Sequence, residues 1–157
     1  MKGVVAPQEV FDQMLEHMVI PTFDLVIDVP DRGVLIARRK IAPYAGKWAL
    51  PGLRMLKGES IDDTLGRIAE QETGLIVDLD SKRLLGQYVG KFRTEHNRQD
   101  LSTGYAVQAL TNEVRLNEDH FAKQHRFIWA PEHIPGAARD TGAMYRYYIS
   151  TYFDSQS

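Results

Sequence analysis

The chain has 157 residues, a formal charge of −2, 43% apolar residues and 25% charged residues; this fits one folded domain of ordinary size with no global pull toward nucleic acid or an anionic membrane. The absence of cysteine removes disulfides, thiolate metal sites and a cysteine nucleophile. Glu9, Asp12 and Glu16 stand where a signal peptide would be apolar, and no apolar run reaches membrane-spanning length, so a cytoplasmic protein without nucleic-acid or membrane partners is expected.

Val10, Phe11, Met14, Leu15 and Met18 recur at helical spacing and predict a helix over Gln8–Met18. Residues 22–29 are rich in strand formers, Pro30-Asp31-Arg32-Gly33 is a turn, and Val34–Arg38 returns as the second arm of a hairpin. Trp48 to Leu50 form a short strand before a Pro51-Gly52 turn. Ser60 with Asp63 three residues later is a capping-box start, and Gly74 is a helix stop, so Ser60–Thr73 is predicted helical. Leu84–Phe92 and Gly104–Leu110 read as paired strands, joined by the polar loop RTEHNRQD. Arg126–Ala130 reads as the last strand and Asp140–Phe153 as a C-terminal helix whose tyrosines pack on the sheet. Strands and helices intermix without regular alternation, which predicts a mixed sheet with helices on its faces, α/β or α+β.

The segment LPGLRMLKGESIDDTLGRIAEQETGL carries the chemistry. A diphosphate needs arginines and a hard divalent cation, and Mg²⁺ takes carboxylate and carbonyl oxygens. A helix offers such ligands from one face at i, i+3 and i+4, and a glycine turn beside it adds a carbonyl. Leu53, Glu59, Arg67, Glu72, Gly74 and Leu75 fall in the register of the Nudix box, which this segment resembles. The resemblance implies a Nudix-type α/β/α sandwich spanning the chain as one domain. Two carboxylates of the pattern are absent: Ile68 follows Arg67, and Gln71 precedes Glu72. Glu70 lies about 100° round the helix from its neighbour and does not replace them. The thinned set implies one Mg²⁺, with Mn²⁺ as the alternative ion, where typical members bind two or three.

The same thinning makes the chain similar to the GDP-mannose mannosyl hydrolases, and the likeness extends over the helix start at Gln8, Asp24, Arg39, Gly46-Lys47-Trp48, Arg54, Tyr105 and the late Gln124-His125 pair. One residue is deleted between His125 and Trp129 relative to that pattern. The resemblance implies that Gly52 (through its carbonyl), Glu72 and Gln124 ligate the ion. It implies that Arg39, Arg54 and Arg67 act on the diphosphate or orient carboxylates, that Asp24 and Tyr105 touch the sugar-diphosphate end, and that His125 is the general base. Water would attack the anomeric carbon of a nucleotide sugar, releasing GDP and free sugar. A homodimer formed partly through residues 7–20 is implied as well.

The residues alone leave alternatives open. Arg38, Arg39 and Lys40 also fit a solvated strand end, and Tyr105 also fits a strand aromatic. His125 is balanced by His120, a rival base in the same stretch, and His96 is a weaker one. Asp24 in the apolar run TFDLVIDV costs energy unless partnered, which favours a functional or cation-paired role. Leu53 stands where the pattern has glycine; if that position needs positive φ, leucine is strained there. An ordinary Nudix pyrophosphohydrolase, acting for example on ADP-ribose, and a nucleotide-sugar binding module without catalysis are the competing functions. The lack of an appended DNA-binding segment weighs against the module.

Overall fold

A computed structural model of the chain describes residues 3–156, the side chain of Glu95 excepted. Helix α1 (Gln8–His17) leads into β1 (Val19–Val29), and the turn at residues 30–32 returns the chain as β2 (Gly33–Arg39). Asp31 and Gly33 hold positive φ there, 69° and 110°, as a tight reversal requires. Short strands β3 (Trp48–Ala49) and β4 (Gly52–Arg54) precede helix α2 (Ile61–Thr73). Long strands β5 (Val77–Lys91) and β6 (Gln99–Ala109), then β7 (Phe121–Ile128) and helix α3 (Ala143–Asp154), complete the described chain.

All seven strands join one sheet with a path β3-β2-β1-β6-β5, β4 also pairing with β1 and β7 with β2. The central pair β1–β6 is parallel and the other pairs are antiparallel, so the sheet is mixed. Strand β1 reads as a nearly continuous apolar run because both of its faces are covered. Phe23, Leu25, Ile27 and Val29 pack with Leu65, Ile68 and Ala69 of α2. Val26, Ile36 and Ala106 pack on the other face with Tyr145, Tyr148, Ile149 and Tyr152 of α3. The C-terminal tyrosines are therefore core residues. No helix is long and apolar enough to cross a membrane among the described residues.

Helix α2 begins and ends where the residues require. The Ser60 hydroxyl accepts from the Asp63 N–H, the Asp63 carboxylate accepts from the Ser60 N–H, and Gly74 closes the helix at φ 72°.

Three elements differ from expectation. Strand β5 starts at Val77 rather than Leu84, because register shifts between Asp78 and Arg83 and between Leu84 and Gly86 break the alternation that marks a strand. Strand β7 starts at Phe121, not Arg126; its middle residues 123–126 are all exposed, so it lacks a period-two signature. Strand β4 was expected as a turn. Leu53 sits in it, paired with Phe23, at negative φ and half-buried against the α2 core, so leucine carries no backbone strain there.

Candidate active site

The carboxyl end of β2, strand β4, the last turn of α2, the start of β6 and the loop before β7 enclose a cavity of about 260 Å³. Asp24, Arg39, Gly52, Arg54 and Glu72, all singled out from the sequence, line it. His120 lines it too.

Gly52 pairs with Asp24 across β4 and β1. A Cβ at position 52 would lie 2.1 Å from Asp24 Oδ1 and 2.8 Å from the Phe23 carbonyl oxygen. The glycine of this turn is thus required for close approach to a carboxylate, a steric demand that falls on Gly52 and spares Leu53.

Asp24 is 5% exposed and accepts from the Ser102 hydroxyl at 2.6 Å. That hydroxyl has one proton, so Tyr148, 2.9 Å away, donates to Ser102 in turn. Burial pushes the Asp24 carboxyl up to about 7 against the pull of Ser102 and Arg39. The folded chain holds this proton more strongly than the unfolded one. Its contribution to stability is full below about pH 4 and is lost as pH rises toward the folded value. In metal-free buffer the melting temperature of wild type is expected to fall relative to Asp24→Asn between about pH 4 and 7; a constant difference would contradict this titration.

Glu72 is fully buried, and both of its carboxylate oxygens lie within reach of His120 Nδ1, at 2.8 and 3.0 Å. Opposite an ionised carboxylate, which only accepts, the proton sits on Nδ1 and Nε2 is the remaining acceptor of the imidazole; the Asn117 amide nitrogen, 3.3 Å from Nδ1, is the longer contact. The backbone fixes this pair from both sides. The Asn117 N–H donates to the Glu72 carbonyl, the His120 N–H to the Asn117 carbonyl, and the Lys40 N–H to the His120 carbonyl. Phe121, 1% exposed, anchors the loop in the core immediately after the histidine.

The arginines divide by commitment. Arg67 gives its donors to Glu59, at 2.6 and 2.9 Å, and to the Arg54 carbonyl at 2.7 Å, and it does not line the cavity. Arg39 donates to the carbonyls of Ile41 and Ala42 at 3.2 and 3.3 Å. Arg54 lines the cavity with no acceptor for its guanidinium among the described residues. Burial lowers its pKa, and the nearby Arg98 and Arg67 add to this. Of the arginines that line the cavity, Arg39, Arg54 and Arg98, only Arg54 has all its donors open to a ligand anion.

Four further residues named from the sequence lie elsewhere. Gln124 and His125 are exposed on β7 and line a separate surface hollow with Arg38 and Trp48. Their side chains therefore do not join Glu72 and Gly52 at the cavity. The misplacement follows from the start of β7, since residues expected before the strand lie within it. Tyr105 is on the α2 face of β6, stacked on Phe23 with centroids 6.1 Å apart, whereas Asp24 opens to the opposite face. His96 is bonded to Glu16 at 2.9 Å, away from the cavity lining.

Other cavity residues escaped the sequence reading. Arg98 and Asp100, ion-paired at 2.7 Å, and the rings of Tyr44 and Phe92 complete the wall. Asp100 and Ser102 alternate along β6 toward the same face as Asp24, a period-two polar signal that straddles the end of what read as a loop.

As donors for a divalent cation the cavity offers the Glu72 carboxylate, whose two oxygens share one imidazole proton, the Gly52 backbone and Asp24. No three acidic, histidine or cysteine side chains converge on a metal-sized centre among the described residues. Ile68 is in the core, and Gln71 is exposed on another surface with Glu70. This set fits one hard cation whose remaining positions go to water and ligand oxygens, and does not fit an array of two or three.

Comparison with known proteins agrees with the geometry. The chain is 30% identical over 114 residues to the low-salt glycan biosynthesis protein Agl8 of Haloferax volcanii, covering 73% of this chain and 70% of that one. It is 31% identical over 98 residues to the ADP-ribose pyrophosphatase of Methanocaldococcus jannaschii, covering 62% of this chain and 55% of that protein. The fold superposes on the MutT NUDIX hydrolase of Burkholderia pseudomallei with a TM-score of 0.69 at 21% identity, over 85% of this chain and 97% of that one. The NUDIX domain profile matches residues 18–149, and with the loop and helix from Gly52 to Gly74 in its register the chain belongs to the Nudix hydrolase family, whose members generally use divalent metal ions such as Mg²⁺.

Proposed function

We propose that the protein hydrolyses a nucleoside-diphosphate sugar, with GDP-mannose as the leading substrate, by attack of water on the anomeric carbon. The observation that carries this is the fully buried carboxylate Glu72 bonded at 2.8 Å to His120 in the cavity wall. An imidazole oriented by a carboxylate is built to take a proton. His120 replaces His125 as the base in this reading.

The water oxygen bonds to the anomeric carbon and gives its proton to His120 Nε2. The bond from that carbon to the β-phosphate oxygen breaks, and its electron pair leaves with the nucleoside diphosphate. Arg54 and Arg39 meet the departing charge, which is electrostatic stabilisation of a leaving group. Glu72 and the Gly52 carbonyl would hold the cation, Mg²⁺ or Mn²⁺, which supplies positive charge beside the same diphosphate. The glycan-biosynthesis relative supports a sugar-bearing substrate. Exposed Val10, Met18 and Val19 near α1 support a homodimer through residues 7–20, which light scattering tests.

The pyrophosphatase relative favours a second reading, cleavage between the phosphates of a substrate such as ADP-ribose. Product identity separates the two. With GDP-mannose and Mg²⁺, GDP and mannose are expected by chromatography. GMP and mannose 1-phosphate would overturn the proposal in favour of the second reading, and binding without turnover across a substrate panel would leave a binding module.

A further inference from the structure

We propose that Phe11 is a positioning residue that holds Arg54 at the cavity, so that helix α1 is part of the binding apparatus. This rests on the reading that Arg54 binds a diphosphate. The Arg54 guanidinium lies over the Phe11 ring with its carbon 4.0 Å from the centroid. A guanidinium over an aromatic face is held by the negative ring quadrupole without using any of its N–H donors. That arrangement suits this residue, because no acceptor claims its guanidinium among the described residues and the charges of Arg67 and Arg98 push on it from nearby. Without the ring, repulsion would turn the group away from its neighbours, and a ligand would have to reorder it.

Helix α1 has no fully buried residue, so its own packing does not explain a half-buried phenylalanine aimed at the sheet. The helix is fastened at its far end by Glu16, whose carboxylate is 2.9 Å from His96 Nδ1 in the turn between β5 and β6. Phe11 therefore presents its ring from an element tied at its far end to the turn that also carries the cavity residues Phe92 and Arg98.

The test is a double-mutant cycle on Phe11→Leu and Arg54→Gln, read by calorimetric binding of inorganic pyrophosphate with Mg²⁺ and by kcat and KM on the nucleotide sugar. Phe11→Leu is expected to weaken pyrophosphate binding by about three- to thirty-fold, the range of a partly desolvated cation–π contact. Phe11→Tyr, which keeps the ring, is expected to bind as wild type. In the Arg54→Gln background Phe11→Leu is expected to have no further effect. An equal loss in both backgrounds would assign Phe11 a general structural role and overturn the inference. So would an unaffected Phe11→Leu beside a weakened Arg54→Gln. If Arg54→Gln itself binds and turns over normally, or wild type fails to bind pyrophosphate, the diphosphate reading of the cavity falls, and the role of Phe11 falls with it.

Discussion

His120→Ala is expected to lower kcat by about 10²–10⁴ with the fold intact, the usual loss on removing a general base. The imidazole makes its closest side-chain contact with Glu72, which is itself fully buried, so truncation also leaves that carboxylate without its donor and lowers stability while the rest of the core holds the fold. The loop stays tied by backbone bonds from Asn117 and Lys40 that do not involve the ring. His125→Ala is the matched control. Its ring is exposed on β7, edge-on to Phe127 at 5.7 Å and outside the cavity, so activity within a few-fold of wild type is expected. Steady-state kinetics and circular dichroism on both variants decide between them. A large loss at His125 with a mild one at His120 would reverse the assignment.

Arg67→Ala is expected to have the largest effect on stability, about 3–5 kcal/mol, because it leaves a buried carboxylate unpaired. The Glu59 side chain is 3% exposed and collects four donors. The Leu56 N–H, the Thr64 hydroxyl and two Arg67 nitrogens contact it at 2.6–3.1 Å. Burial opposes ionisation of Glu59, but the Arg67 guanidinium and the Leu56 N–H outweigh burial and hold its carboxyl below the usual range. A lowered carboxylate contributes stability above its unfolded value, about pH 4.3, and loses it as pH falls through the folded one. The difference between wild type and Arg67→Ala in chemical denaturation should therefore be large at neutral pH and shrink in acid. A loss in kcat without loss of stability would instead make Arg67 a group that acts on substrate, against its position outside the cavity.

The Nudix loop-helix was legible because its constraints are local. Ser60, Asp63 and Gly74 mark the ends of α2 by capping chemistry, and Glu59 with Arg67 fixes the register. Asp24 was legible as a lone carboxylate in an apolar strand, and the structure gives it a hydroxyl partner at the cavity. Sequence reasoning failed where a strand carries no alternation. Residues 123–126 of β7 are uniformly exposed, so the strand was begun too late, at Arg126, and Gln124-His125 fell outside it. His120, four residues earlier, is brought to Glu72 by a turn whose contacts span the chain, and no local pattern announces that. Leu53 misled in the opposite direction: a glycine requirement was assigned to it, but the steric need belongs to Gly52, which abuts Asp24. The Arg98–Asp100 pair was missed because its strand begins inside a polar stretch.

The most direct test of sugar-carbon attack is turnover of GDP-mannose in ¹⁸O-water with Mg²⁺, followed by mass spectrometry of both products. Attack at the anomeric carbon puts the label in mannose and none in GDP. Label in any phosphate would contradict that attack and return the cavity of Glu72, His120 and Arg54 to phosphoryl chemistry.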